Sequence, residues 1–418
     1  MEHTSSAAAL VAGSGLSVNI DIGLAVEQAL EQTQARVLPG CADLVMVFAS
    51  GAHAQDMERV CDAIGGALNP GALIGVTGES VLGTEQEVER RTALSVLAVS
   101  LPGTRISPFT YRDLPHVKLD EPDSLAALAG ALGADPDLRG IFVFVDPFSV
   151  PAASLAESLG QVHRAVPGLR RSPVIGGLAS ASPKPGGNIL VLNGRSMRHG
   201  AVGVVVRGAV DIDTLVSQGC RPIGQPQVVT GASRNVMQML GGRRAMDVLR
   251  ETVTGLSPED RELLPNGLFL GRVINEYKPR FGRGDFLIRG VMGVDQNSGA
   301  IAVGDMVRTG QTIQFHLRDA RTASEDLELL LAAQRLSSPP AGGVLFTCNG
   351  RGSRLFAEPS HDARLVSRTL AGDDGTPMPL AGFFAAGEIG PIGGSSFLHG
   401  HTAALAVFRP RTRLEDLG

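Results

Sequence analysis

The sequence predicts an α/β protein of two domains, built from repeated β-α-β-β units with mixed sheets. Three observations predict it. A chain of 418 residues is too long for one ordinary core. Short apolar runs bounded by Gly and Pro alternate with helical segments, as buried strands and helices do. The same order of elements also recurs. Runs at 43–49, 56–68, 73–79 and 92–99 read as strand, helix, strand and strand, and 344–348, 362–370, 380–386 and 402–408 repeat that order. A weaker copy between them covers 140–145, 152–166, 174–180 and 200–206. A repeat of this length escapes a search for short periods.

Composition narrows the function classes. Hydrophobic residues make up 43% and charged residues 19%, which is globular and too apolar for disorder. The net charge of −5 argues against nucleic acid or an anionic membrane as partner. Lysine occurs only at Lys118, Lys184 and Lys278, which reads as a composition bias and not as an anion-binding device. The first 16 residues lack a basic segment followed by an apolar core, and no apolar run has membrane-spanning length. Cys41, Cys61, Cys220 and Cys348 have neither metal-ligand nor disulfide-framework spacing. A cytoplasmic protein with reduced thiols is expected.

Taken in order, residues 1–35 read as a mobile lead-in and a helix, with Ala25, Ala29 and Leu30 on one helical face. An N-terminal domain follows over 36–225. The stretch PIGQP (222–226) marks the passage to a C-terminal domain over 226–410, with a tail at 411–418. The second domain begins with a strand at 227–231, short helices and further strands at 268–274, 286–293, 301–303 and 312–317. A helix then starts near Thr322, where Thr322 and Glu325 have capping-box spacing.

The chemistry-bearing residues fall in loops that follow apolar runs. Gly78-Glu79 and Gly387-Glu388 stand at what read as matching places in two units. A carboxylate entering a loop from a buried strand is costly unless paired or bound, so each glutamate either caps backbone amides or faces a ligand. In CNGRG (348–352) the glycines allow close backbone approach, and Arg351 or Arg354 offers a fork of donors to a carboxylate or phosphate. The loop lacks the spacing and the Lys-Ser/Thr of a phosphate loop, which excludes nucleotide binding on that basis. Its plain alternative is a tight turn with a structural cysteine. Cys348 is expected to line a concave site without forming a disulfide.

His399 and His401 lie two apart, which on a strand puts both imidazoles on one face. They could meet a metal, a haem or a carboxylate. No third ligand is spaced nearby, so no metal is assigned and the cofactor stays open. His53, in a strand-to-helix loop, reads as a solvated residue. The candidate ligand-binding set is Glu79, Cys348, Asn349, Arg351, Glu388, His399 and His401, with no catalytic residue assigned. A zwitterion such as an amino acid suits the combination of Arg351, Glu388 and His401.

Several stretches resemble the FIST proteins, named for F-box and intracellular signal transduction. The resemblance rests on FTCNGRG (346–352), GFFAAGEIGP (382–391), FLHGHTAALAVF (397–408), GDFLIRGVMGVD (284–295) and GDMVRTGQTIQFHLRDA (304–320). LVMVFAS and GVTGES look like the family's N-terminal domain, with Val76 where a cysteine is common. The resemblance implies a sensory, signal-transducing domain that binds a small ligand, an amino acid or related metabolite, and passes its state to a downstream signalling protein. A reading from another class is a hydrolase or transferase with Cys348 as nucleophile and a histidine base. No nucleophile elbow supports it. A third is a purely structural interaction module.

Overall fold

The computed structural model describes residues 9–411. The chain divides into two compact units. The first takes the described residues up to Val216, Leu330–Leu398, and those from Ala403 onward; the second takes Ser217–Leu329 with His399–Thr402.

The first unit is one motif used three times. Its first copy runs β1 (Val11–Ser17), α1 (Ile22–Gln34), β2 (Leu44–Ser50), α2 (Met57–Leu68), β3 (Ala72–Gly78), a hairpin of β4 (Val81–Gly83) and β5 (Gln86–Val88), then β6 (Leu94–Ser100). The second copy is β7 (Thr104–Thr110), α3 (Pro122–Ala131), β8 (Leu138–Val145), α4 (Ala152–Gly160), β9 (Val174–Leu178), the hairpin β10 (Leu190–Leu192) and β11 (Arg195–Met197), and β12 (Ala201–Gly208). The third opens with β13 (Val210–Gln218), and the chain then leaves it to build the second unit.

That second unit comprises β14 (Cys220–Ser233), β15 (Val236–Leu240), β16 (Arg243–Arg244), α5 (Ala245–Thr254), α6 (Pro258–Leu263), β17 (Leu268–Val273), β18 (Phe286–Val294), β19 (Ile301–Val303) and β20 (Thr312–Arg318). It is a seven-stranded sheet in the order β14-β20-β17-β18-β19-β15-β16. The third copy resumes with α7 (Ala320–Gln334), whose residues up to Leu329 fall in the second unit, then β21 (Gly342–Cys348), α8 (His361–Thr369), β22 (Leu380–Ala385), the hairpin β23 (Glu388–Ile392) and β24 (Ser395–His399), and β25 (Thr402–Pro410), with His399 and Thr402 again in the second unit. The second unit is therefore an insertion between the first strand and the first helix of the third copy.

Each copy builds a sheet around a parallel pair, β2/β3, β8/β9 or β21/β22. On one side lie the copy's last and first strands. On the other lies a hairpin donated by a different copy, and the donation is cyclic. The sheet orders are β1-β6-β2-β3-β10-β11, β24-β23-β9-β8-β12-β7 and β13-β25-β21-β22-β4-β5. The first copy's hairpin completes the third sheet, the third copy's completes the second, and the second copy's completes the first. A mixed α/β architecture of repeated units is thus what the chain adopts.

The inner faces of the three sheets share one core. Phe48, Phe144 and Phe346 occupy the same place on β2, β8 and β21, and their rings meet pairwise at 5.6, 6.2 and 5.7 Å between centroids. Phe383 on β22 contacts all three rings. Its counterparts are Val76 and Gly177, which face Phe48 and Phe144 in the parallel ladders. A Cβ on Gly177 would lie 3.1 Å from the Phe383 ring, so glycine makes the space that this fourth ring fills. One residue earlier, all three second strands carry glycine, Gly75, Gly176 and Gly382. A Cβ on Gly382 would stand 1.9 Å from the Leu345 carbonyl oxygen, and one on Gly176 1.8 Å from that of Val143.

Several sequence expectations change here. The lead-in contains a strand, β1, paired antiparallel with β6, because its small residues let α1 approach: a Cβ on Gly15 would meet the Ala29 carbonyl at 2.0 Å. The expectation for residues 1–8 and for 412–418 lies outside the described residues. The expected passage at 225/226 falls inside β14. The ladder between β14 and β20 shifts register between Ile223 and Gln227, so the Pro-Gly stretch makes a bulge and does not end the strand. In α7, Asp319 does the capping. Its carboxylate accepts from the Thr322 hydroxyl at 2.6 Å and from the Arg321 N–H at 3.2 Å, and its carbonyl accepts from Ala323 N–H. Among the described residues no helix is long and apolar enough to cross a membrane.

The ring cluster should dominate the stability of the first unit. Phe144→Ala is expected to cost about 3–5 kcal/mol in urea unfolding, the range for removing a buried aromatic ring. Phe148→Ala, four residues on and 45% exposed, should change it by less than about 0.5 kcal/mol. Equal losses in the two variants would show that the shared core does not hold the three copies together.

Candidate functional site

In open α/β sheets, ligands bind outside the carboxyl ends of the parallel strands. At that edge of the first sheet lies a cavity of about 500 Å³. Ser50 and Gly51 after β2, Glu79 after β3, and Arg90 and Arg91 after β5 line it, with Val18 and Ile20 on an apolar side. Glu79 is held from two directions. Its N–H donates to the Ser180 hydroxyl at 2.9 Å, and that hydroxyl donates to the Phe384 carbonyl. Its carboxylate receives both terminal nitrogens of Arg354, Nη1 at 3.1 Å and Nη2 at 2.6 Å. Arg354 Nη1 also donates to the Asn349 carbonyl at 2.6 Å.

Ser353 is bound alongside. Glu89 accepts from its N–H at 2.8 Å and its hydroxyl at 2.6 Å, and Arg90 Nη2 lies 3.4 Å from the same hydroxyl. The Glu79–Arg354 pair is partly exposed, at 26% and 41% for the two side chains. Such a pair contributes about 1 kcal/mol or less.

Arg351 has a different role from the one expected. It is fully buried, and its fork is taken by Asp362 on α8, with Nε at 2.6 Å and Nη2 at 2.9 Å from the two carboxylate oxygens. Burial works against the charge on Arg351, but Asp362 outweighs it and holds the guanidinium above its ordinary pKa. Burial likewise opposes ionisation of Asp362, and Arg351 overcomes it, holding that carboxyl well below the usual range. Thr347 and His361 also bond Asp362, and His361 stacks on Phe356 at 3.7 Å. The fork expected to meet a ligand carboxylate therefore fixes the loop that follows β21.

Glu87 completes this buried cluster from the donated hairpin. Its Oε1 accepts the Ala363 N–H at 3.0 Å near the start of α8, and its own N–H donates to the Ser360 hydroxyl at 3.0 Å. Its other carboxyl oxygen is buried and has no hydrogen-bond partner among the described residues. Burial first, and the Asp362 charge second, push the Glu87 carboxyl up to about 8.

The remaining candidates are spread out. Cys348 ends β21, buried and in no disulfide. The N–H of Asn349 donates to the Ala385 carbonyl, and its own carbonyl receives Arg354, so this residue and Glu79 do share a partner. Glu388 is fully buried as the first residue of β23. It is not the counterpart of Glu79. Glu388 pairs with Gly177 as Val81 pairs with Phe383 and Leu190 with Val76, so Glu388 matches Val81 and Leu190. By the parallel ladders Glu79 matches Ser180 and Ala386. The two Gly-Glu pairs are offset by two residues.

His399 and His401 belong to the second unit. They do not share a strand face, because β24 ends at His399 and His401 lies in the following turn with φ of 64°. Burial, with Arg318 nearby, pulls the His401 pKa down to about 4, and its ring packs edge-on to Phe269 at 4.2 Å. It is neutral at pH 7. His53 is buried, not solvated, with Nε2 3.3 Å from the Asn19 carbonyl, and burial lowers its pKa. Among the described residues no group of three His, Cys, Asp or Glu side chains could hold a metal ion.

With this geometry in hand, the relatives can be placed. Residues 43–243 match the family model of the FIST N domain, and 245–391 that of the FIST C domain. The chain belongs to the FIST family. FIST domains are associated with sensory signal transduction. An uncharacterised protein of Mycobacterium tuberculosis strain H37Rv is 38% identical over 399 residues, which cover 95% of this chain and 99% of its own. One from Mycobacterium bovis is 37% identical over the same length, covering 95% and 98%.

Arg90, Arg91 and Glu87 escaped the sequence reading, since they lie in and just after a short hairpin with no motif of its own. A pair of arginines just before an apolar strand was the only available signal. Glu87 should be visible in stability. Its pKa rises on folding from 4.5 to about 8, so its contribution is fully present below pH 4.5 and lost as pH rises through 8. Unfolding free energy should fall by a few kcal/mol from this group between pH 5 and 9. Glu87→Gln should flatten that decline, and an unchanged slope in pH-dependent urea titrations would refute it.

Proposed function

We propose that this FIST protein is a cytoplasmic sensor whose small ligand, an amino acid or related metabolite, enters the cavity at the carboxyl edge of β2 and β3. The observation that carries the reading is the charge layout of that cavity. One carboxylate, Glu79, and two guanidinium groups, Arg90 and Arg91, line the same space beside the apolar Val18 and Ile20. A volume of about 500 Å³ falls within the usual span of small-molecule sites. A zwitterion would meet an acceptor for its ammonium and fork-shaped donors for its carboxylate.

The loop of Cys348, Asn349 and Arg351 then acts behind the site. Arg351 is anchored by Asp362, and Asn349 steadies Arg354 against Glu79. The family association supports a downstream signalling protein as the recipient of the bound state.

Calorimetry against an amino-acid and metabolite panel tests the reading. Glu79→Gln should weaken an amine-bearing ligand by roughly 1.5–3 kcal/mol, the worth of a hydrogen bond to a charged group, with the fold intact by circular dichroism. Arg91→Ala should weaken carboxylate-bearing ligands by a similar amount and spare their amides. Affinities unchanged in both variants would move the ligand elsewhere.

A further inference from the structure

Arg354 does not line the cavity, yet it already occupies the group that a ligand amine would need. Both its terminal nitrogens bond Glu79, a residue that lines the cavity. The short segment Gly352–Arg354 is held by three acidic or basic side chains, Glu79, Glu89 and Arg90, and two of these line the cavity. Gly352 has φ of 59°, and a Cβ there would lie 2.7 Å from the Glu89 carboxyl carbon and 2.9 Å from the Phe384 ring. The segment therefore has one well-defined seat, made by Glu89 together with two side chains of the cavity, Glu79 and Arg90.

We propose that Arg354 is an internal competitor for the ligand's ammonium, and that Gly352–Arg354 is the element whose release reports occupancy. This rests on the cavity being the ligand site. A ligand ammonium that takes Glu79 displaces the Arg354 guanidinium, and a ligand carboxylate that takes Arg90 withdraws that residue from Ser353. Each end of a zwitterion thus removes one of the restraints on the same segment. A simple carboxylic acid removes only the second, and a simple amine only the first. The device therefore favours ligands that carry both charges. Because binding free energy is spent on displacing Arg354, linkage requires that removing Arg354 tightens binding.

The experiment uses the full chain as wild type, Arg354→Gln and Glu79→Gln, with the twenty standard amino acids as probes. Calorimetry reads affinity, and amide hydrogen exchange reads protection over 349–356. In Arg354→Gln the best-binding amino acid should bind roughly fivefold to a hundredfold more tightly, the ordinary range of coupling. Glu79→Gln should raise exchange over 349–356 without any ligand, and saturating amino acid should bring wild type to a similar level. Weaker binding by Arg354→Gln would make Arg354 a ligand contact and overturn the competitor role while leaving the cavity reading intact. Unchanged exchange in Glu79→Gln would overturn the release of the segment. If none of the twenty binds wild type or Arg354→Gln, the cavity reading itself fails for amino acids and the competitor role with it.

Discussion

The constraint on which the first unit depends is the open edge of each parallel pair. A copy without a neighbour's hairpin leaves one strand, β3, β9 or β22, with a row of unpaired backbone groups. An exposed edge of that kind invites aggregation unless something covers it. Here each edge is covered by a hairpin from another copy, in a closed cycle. No copy can complete its own sheet, so the three must fold together. The four phenylalanine rings meet where the three inner faces converge, and the glycines of β3, β9 and β22 bring the strands close enough for that meeting. The cyclic exchange also explains how a whole second unit can be inserted. It enters between the first strand and the first helix of the third copy, a connection that takes no part in the exchange.

The buried charges follow from the same exchange. The hairpin donated to the third sheet is clasped by α8, and the clasp is polar. The N–H groups of Glu85 and Glu87 in the hairpin donate to the hydroxyls of Ser367 in α8 and of Ser360 just before it, and Arg351 pairs with Asp362 in the helix's first turn. Desolvating an ion pair offsets much of its attraction, so Arg351 and Asp362 add little net stability compared with apolar residues of the same size. What they add is geometry. A bidentate pair fixes both the loop after β21 and the first turn of α8, and this loop carries Asn349 and Arg354 to Glu79. Charge in the interior thereby determines where charge stands at the surface.

Much of the fold was legible because its signals are local. The three copies showed in their order of strands and helices, and the family resemblance rested on stretches that join a strand to the turn beside it. The exchange of hairpins was not legible, since Val81–Gly83 and Leu190–Leu192 are three-residue strands whose partners lie more than a hundred positions away. The site was half legible for a related reason. Glu79 stood out by its place after a buried strand, but Arg351 and Arg354 look alike in sequence. Only the burial of Asp362, eleven residues beyond Arg351, decides which of the two guanidinium groups is internal. The Gly-Glu pairs misled because a shared dipeptide was taken as a shared position, whereas register is set by ladder partners. The two histidines misled because a turn with positive φ intervened where strand alternation was assumed.

Three equivalent carboxyl edges exist, and they have diverged in the residues that do not hold the fold. At the end of the first parallel strand stand Ser50, Asp146 and Cys348, and after the second stand Glu79, Ser180 and Ala386. By contrast, one core position keeps phenylalanine in all three copies, Phe48, Phe144 and Phe346, and another keeps glycine, Gly75, Gly176 and Gly382. Symmetric positions are thus explained by packing alone, and chemistry is to be sought where symmetry is broken. By that criterion two edges stand apart: the second carries Asp146 where the others have Ser50 and Cys348, and the first carries Glu79 beside a cavity that Arg90 and Arg91 also line. The fold supplies three similar places, and function lies in the side chains set on them, not in the fold itself. Ser180 shows how closely the edges remain tied, since it orients Glu79 while bonding the strand that precedes Ala386.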